Sequence, residues 1–317
     1  MMPVSFFQIR RFRITLTAPL LAIALCSTGC SIRSLAINKL GNALAGESDV
    51  FASDDDPELI GDAIPFSLKF MESVLAENPK HAGLLMAASR GFTQYAYGWV
   101  QNAPVTEAEG GEAHQLDRAR RLYLRARDYG LRGLEVRRPG FERALRSDPA
   151  AAMHMLSISD VPSLYWTAAS WGLAISLSKD RPEVLADLPL VGAMVDRALE
   201  LDEHFGNGAI HSFLISYEGA RAGGEGDPLV RARKHFDRAV ELSGGTLASP
   251  FVTFAETISV QTQNRSEFEE LLHRATAIDA DAKPQSRLEN LIAQRRARWL
   301  LAHADELFLE ESQGEKK

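Results

Sequence analysis

From about residue 54 onward, apolar residues recur at steps of three and four, and alternation at a step of two is almost absent. That period lays apolar side chains along one face of a helix. In "HQLDRARRLYLRARDYGLRGLEV", Leu116, Ala119, Leu122, Tyr123, Ala126 and Tyr129 share a face, with arginines opposite. "PLVGAMVDRALELDEHF", "PLVRARKHFDRAVELSG", "SEFEELLHRATAIDAD" and "SRLENLIAQRRARWLLAHADELF" repeat the habit. The pattern predicts an all-α chain. Asp56-Pro57-Glu58 reads as a helix start: a capping carboxylate, a proline at the first helical position and an acid at the positive end. Asp54, Asp55 and Asp56 lack the spaced oxygen ligands and central glycine of a calcium loop, so capping is the preferred reading. Pro65 is expected to end that first helix and open the next.

Several of these segments share a frame. Ala119, Tyr123 and Ala126 have the same small–aromatic–small spacing as Ala232, Phe236 and Ala239. The frame also fits Val191, Val195 and Ala198, and Phe268, Leu272 and Ala275. Small positions let a neighbouring helix approach, and the large one fills the groove between. This is the second-helix pattern of a tetratricopeptide (TPR) repeat. "VLAENPKH", with Pro79, has the end of such a repeat. The intervals run irregularly, from about 36 to 72 residues, so the repeats are degenerate and carry insertions. The expected architecture is a TPR-like stack of helical hairpins, an α-solenoid or bundle, whose concave or enclosed surface is the natural binding site. Gly223, Gly224 and Gly226 with Pro228 predict a loop between two helices; no Lys-Ser/Thr helix start follows, so it is not a phosphate loop.

The first thirty residues break the pattern. Arg10, Arg11 and Arg13 precede an apolar stretch from Ile14 to Leu25 and the small residues Ser27, Thr28 and Gly29. That is the layout of a secretory signal. Twelve helical residues span roughly 18 Å, short of a bilayer core of about 30 Å, so a transmembrane helix is the weaker reading. Arg13 also stands where a twin-arginine signal wants an apolar residue. Both cysteines of the chain, Cys26 and Cys30, lie here. Two sulfurs without a nearby histidine do not make a metal site. Ser27-Thr28-Gly29-Cys30 resembles a bacterial lipobox, with Ser27 in place of the usual leucine. Cys30 is then the acylated first residue of the mature protein, and a plain secreted protein is the alternative. The expected divisions are a lipoprotein signal peptide over 1–29, a lipidated N-terminus and tether over 30–53, one helical domain over 54–310 and a polar tail over 311–317.

Composition narrows the classes. The 317 residues are 45% hydrophobic and 24% charged, which is ordinary for a globular protein. The formal charge is −7, and loss of residues 1–29, with three arginines and no acid, brings it to −10. No basic block follows Arg13, which argues against nucleic acid. No nucleophile–base pair, carboxylate pair or metal-ligand spacing such as HExxH occurs, so neither an enzyme nor a cofactor or metal site is expected. His211 and His235 read as core or capping histidines. In "SLYWTAASWGLAISL", Trp166 and Trp171 are five apart and splay by roughly 140° on a helix. One can face the core and the other a cavity. Plain packing is the simpler reading of these aromatics, and an apolar pocket lining the alternative.

Five separated stretches, "DDDPELIGDAIPF", "LLMAASRGFTQYAYGWV", "YWTAASWG", "GGEGDPLVRARKHFDRAVELSGG" and "LENLIAQRRARWLLAHADELF", occur in an order that resembles the T-component lipoproteins of TRAP transporters (TatT). The likeness covers nearly the whole mature chain. Ile215 departs from it, standing where a glycine is expected. The resemblance implies a periplasm-facing, TPR-like lipoprotein, trimeric, with a channel or cleft through each subunit. It also implies partnership with a periplasmic solute-binding protein of a TRAP system, which takes up small organic solutes on an ion gradient. Ser31, rather than the aspartate that retains enterobacterial lipoproteins in the inner membrane, follows Cys30, so an outer-membrane location is expected. Aromatic content and family position nominate Tyr95, Trp99, Tyr165, Trp166, Trp171, His211 and Tyr217 for the cleft, beside Cys30 for lipid attachment. The competing reading is a TPR-type scaffold for envelope assembly.

Overall fold

The computed structural model describes residues 38–44, 46, 49–104, 110–221, 224 and 226–309. The expected signal segment, Cys30 and the polar tail lie outside them. The described residues contain no strand. The main helices are α1 (Pro57–Glu77), α2 (Ala82–Tyr95), α3 (Gly111–Arg137), α4 (Phe141–Ser147), α5 (Pro149–His154) and α6 (Val161–Ser176). They continue as α7 (Leu188–Leu201), α8 (Ala209–Ala220), α9 (Pro228–Ser243), α10 (Ser249–Phe254), α11 (Arg265–Thr276) and α12 (Arg287–Ala302). Both α2 and α10 run on into wider π-helical turns, over Ala96–Gln101 and Ala255–Ser259.

Local chemistry sets the boundaries. The Asp56 carboxylate accepts from the Leu59 amide at 2.9 Å, with Pro57 at N1, as the sequence predicts. Asp227 caps α9 in the same way, accepting from Leu229 N at 2.8 Å, with Pro228 at N1. Pro65 does not divide the first helix: α1 runs from Pro57 to Glu77 with Pro65 inside it. The ring of a proline collides with the carbonyl four residues earlier, here that of Gly61. Packing overrides the local cost. The Trp99 indole lies against Gly61 and donates to the Pro57 carbonyl at 2.8 Å, while Leu68 is buried on the far side of the proline.

The helices pair as α2/α3, α6/α7, α8/α9 and α10/α11. The second member of each pair carries the repeated frame, and all twelve of its positions are buried: Ala119, Tyr123 and Ala126 on α3, Val191, Val195 and Ala198 on α7, Ala232, Phe236 and Ala239 on α9, and Phe268, Leu272 and Ala275 on α11. Successive pairs pack through α3 on α6, α6 on α8 and α8 on α10. Close approach needs small residues at two crossings. A Cβ on Gly130 of α3 would strike Thr167 of α6, and one on Gly192 of α7 would strike the Tyr217 hydroxyl of α8. Ile215 on α8 is fully buried and joins the apolar cluster of α9 to α12. A branched side chain thus fills the space that a glycine would leave there.

The stack closes on itself. Helix α12 packs on α10 and α11 and also on α1 and the short turn Asp49–Ala52. Arg287 donates to the Ser53 carbonyl at 2.8 Å, and Arg295 donates to the Gly98 carbonyl at 2.7 Å while lying 3.5 Å from Glu58. Residues 38–44, inside the stretch read as a tether, are helical; Asn38 accepts from the Asn78 amide at 2.5 Å.

Candidate functional site

The first helices of the pairs, α2, α6, α8 and α10, form an inner ring, and α12 fills the gap between α10 and the π-helical turn after α2. Three accessible side chains stand on elements of this ring: Glu289 in the first turn of α12 is exposed, and Tyr97 and Tyr165 are partly exposed. Burial pushes the Glu289 carboxyl above the ordinary carboxylate range, against a hydrogen bond from Ser249 at 2.7 Å. The same burial raises Tyr97 well above a normal phenol, with Glu256 adding to it, and raises Tyr165, with Glu289 adding to it. These influences couple Tyr97 to Glu256 and Glu289, and Tyr165 to Glu289, all on elements of the ring.

The π-helical turns position two of the four. Tyr97 and Glu256 are each the second residue of such a turn. A π turn inserts a residue into the helical ladder and re-aims the side chains about it, and such turns gather at functional sites. Glu256 is tied to Arg296 of α12, whose guanidinium also lies over the Trp299 ring, 4.4 Å from its centroid.

The structure disperses the seven residues nominated from the sequence. Tyr165 is partly exposed and touches Trp166 and Phe205 edge-on or tilted, with ring centroids 5.0 and 5.2 Å apart. Trp171 is fully buried in the core, beneath Arg127. Tyr95 and Trp99 stack on each other, centroids 6.4 Å apart; Tyr95 accepts from Arg118, and Trp99 is turned to α1. Tyr217 is buried and donates to the Leu188 carbonyl at 3.1 Å. Tyr97, Glu256 and Glu289 were not among the nominees. "QYAYGWV" holds three aromatics, and the sequence has no feature that distinguishes Tyr97 from its neighbours.

His211 lies elsewhere, in the α8–α9 seam. Its Nδ1 is 2.8 Å from Nδ1 of His235, and its Nε2 is 3.3 Å from Glu203. Burial lowers both histidines, His235 to about 4. Two neutral rings joined through Nδ1 allow one donor. The Glu203 carboxylate requires the proton of His211 on Nε2, so His235 donates and His211 Nδ1 accepts. Arg238 clamps both Glu203 oxygens, at 2.7 and 2.9 Å, and holds that carboxyl down at about 2. Beside them Glu218 is buried between Arg221 and Arg231; burial raises its carboxyl, and the two guanidiniums more than reverse that. This cluster satisfies its own charges. A shallow groove of about 780 Å³ on the outer face, floored by Phe254 and Ile258, has its Arg233 already paired with Glu267.

No set of three or more histidine, cysteine, aspartate or glutamate side chains suited to a metal occurs among the described residues, and no helix there is long and apolar enough to cross a membrane. The fold defines a class: a helical-repeat protein whose inner helices close into a ring. The chain belongs to the TRAP transporter T-component family, whose model matches residues 53–308. An uncharacterised protein of Treponema pallidum (strain Nichols) is 31% identical over 312 residues, covering 91% of this chain and 96% of its own length. Family membership makes the protein a component of a TRAP transport system.

Proposed function

We propose that this protein is a non-catalytic accessory lipoprotein that docks a periplasmic solute-binding protein and passes a small organic ligand through a cleft or channel. The observation that carries the reading is the closed ring of inner helices in a chain of this family. A transport component with accessible polar groups on a closed ring of helices has a place to hold a solute. The lipobox-like Ser27-Thr28-Gly29-Cys30 supports attachment through acylated Cys30 to the periplasmic face of a membrane, the outer one being preferred. The subunits assemble as trimers in this reading, as the family resemblance implies. The mature chain is copurified with the solute-binding protein encoded beside it. A stable complex at tens of micromolar is the expected result, and its absence removes the docking role. Fatty-acid labelling is expected to vanish in Cys30→Ala; labelling that persists refutes the anchor.

A further inference from the structure

We propose that the outward face of α1, which carries Leu59, Phe66 and Phe70, rests on a zwitterionic phospholipid surface. This builds on the reading of Cys30 as an acylated anchor and adds which side of the folded chain meets the lipid. Six of the eleven large apolar side chains exposed among the described residues fall between Leu40 and Phe70. On α1 they form a stripe. At roughly 100° per residue, Leu59, Phe66 and Phe70 lie within about 40° of one another around the helix, and Leu59 to Phe70 spans about 16 Å. Phe66 is 75% exposed, and its ring stacks on Phe70 with centroids 6.2 Å apart. Ile60, Leu68 and Leu75 occupy the opposite face and are buried. A helix apolar on both faces is usually covered on both, and here the core covers one.

The chain itself brings lipid to this stripe. Asn78, the C-cap of α1, donates its side-chain amide to Asn38, and a Cβ on Gly41 would strike His81 just beyond. Residues 38–44 therefore lie against this end of the helix. Cys30 precedes Asn38 by eight residues, which reach at most about 29 Å. Phe70 precedes Asn78 by eight residues, roughly 12 Å along the helix. Acyl chains on Cys30 thus keep a bilayer within reach of the stripe, and such tethering lets a weak contact persist. A second copy of the chain is the poorer occupant. A stripe one helix wide and about 16 Å long falls well short of the roughly 800 Å² per partner that a stable complex buries. Charge selects the lipid. Asp54, Asp55, Asp56, Glu58 and Asp62 crowd the N-terminal end of α1, and Lys69, held by Glu72, is the one base between residues 54 and 70. Anionic headgroups would be repelled there, and zwitterionic ones would not.

The test reads depth with a spin label. Ser73 is exposed within the same face, and Ser73→Cys leaves the three apolar residues in place. Asp237→Cys, exposed on α9, is the reference. The full lipoprotein is inserted into phosphatidylcholine vesicles from outside. A water-soluble nickel complex is expected to reach the Ser73 label at least about threefold less than the Asp237 label. Leu59→Ser, Phe66→Ser and Phe70→Ser together, all at the surface, should restore that access. Replacing part of the lipid with phosphatidylglycerol should weaken the protection. Equal access at the two labels, protection that survives the triple substitution, or stronger protection on anionic vesicles each overturns the inference. Dipolar broadening between Ser73 labels would put a second copy on the stripe and overturns it as well. The anchor is read separately. The unsubstituted protein should take up no label and should carry fatty acid. Fatty-acid labelling without protection at Ser73 defeats this inference alone, whereas a free Cys30 thiol without fatty acid defeats the anchor.

Discussion

The seam between α7, α8 and α9 and the first turn of α12 treat their carboxylates in opposite ways. In the seam each buried charge has its answer. Glu218 is gripped by Arg221 and Arg231, Arg221 also reaches Asp196, and Glu203 joins Arg238 to the histidine pair. On α12, Glu289 has one hydroxyl and no cation among the described residues. A saturated network of buried charges holds helices in register. Glu218 is buried and Glu289 exposed, so only the first has to be answered by guanidiniums.

The largest predicted effect breaks the seam. Glu218→Ala leaves Arg221 and Arg231 short of a partner in a half-buried site, and should cost about 2–4 kcal/mol in urea denaturation. A loss under 1 kcal/mol would show that the network is not structural. Next, Gly130→Ala drives a methyl into Thr167 at the α3–α6 crossing, with an expected cost of about 1–3 kcal/mol. A neutral result would mean that the crossing is looser than its geometry.

Acid should act on the seam through its histidines. His235 titrates near 4 when folded and near its ordinary value of about 6.5 when unfolded. Between those values the unfolded chain binds a proton that the folded chain refuses. Stability should therefore fall as pH drops from 6.5 towards 4, by roughly 1–2 kcal/mol after allowance for partial exposure. His235→Leu should flatten that slope, and an unaltered slope assigns it to other groups. The smallest effect sharpens the comparison. Glu289 has a raised carboxyl, so the folded state holds its proton longer and stability declines as pH rises above about 4.5. Glu289→Gln should raise stability slightly at pH 8 and change little at pH 4. A matched gain at both values would detach the effect from ionisation.

Much of the outer framework was legible. The frame of Ala232, Phe236 and Ala239 and its three counterparts mark helices whose contacts are local to a hairpin, and local contacts leave a period in the sequence. Asp56-Pro57 and Asp227-Pro228 are legible because a cap acts within three residues. Pro65 misleads because the indole that packs beside it comes from Trp99, more than thirty residues away. The ring was hidden for a related reason: it closes only where α12 meets the turn at Gly98, and π-helical turns such as that of Tyr97 carry no distinctive composition. The aromatic segment was half readable: the five-residue offset of Trp166 and Trp171 forecasts divergent directions, and Trp171 is buried in the core while Trp166 is partly exposed. Which aromatic went which way depended on neighbours that a single stretch cannot reveal.

The latch formed by Arg287 on Ser53 and Arg295 on Gly98 joins positions 234 and 197 residues apart in the chain. Such remote partners meet late, because the intervening loop must first be shortened by everything folded between them. The hairpins can mature one after another, but the ring they form is complete only once the last long helix packs against the first.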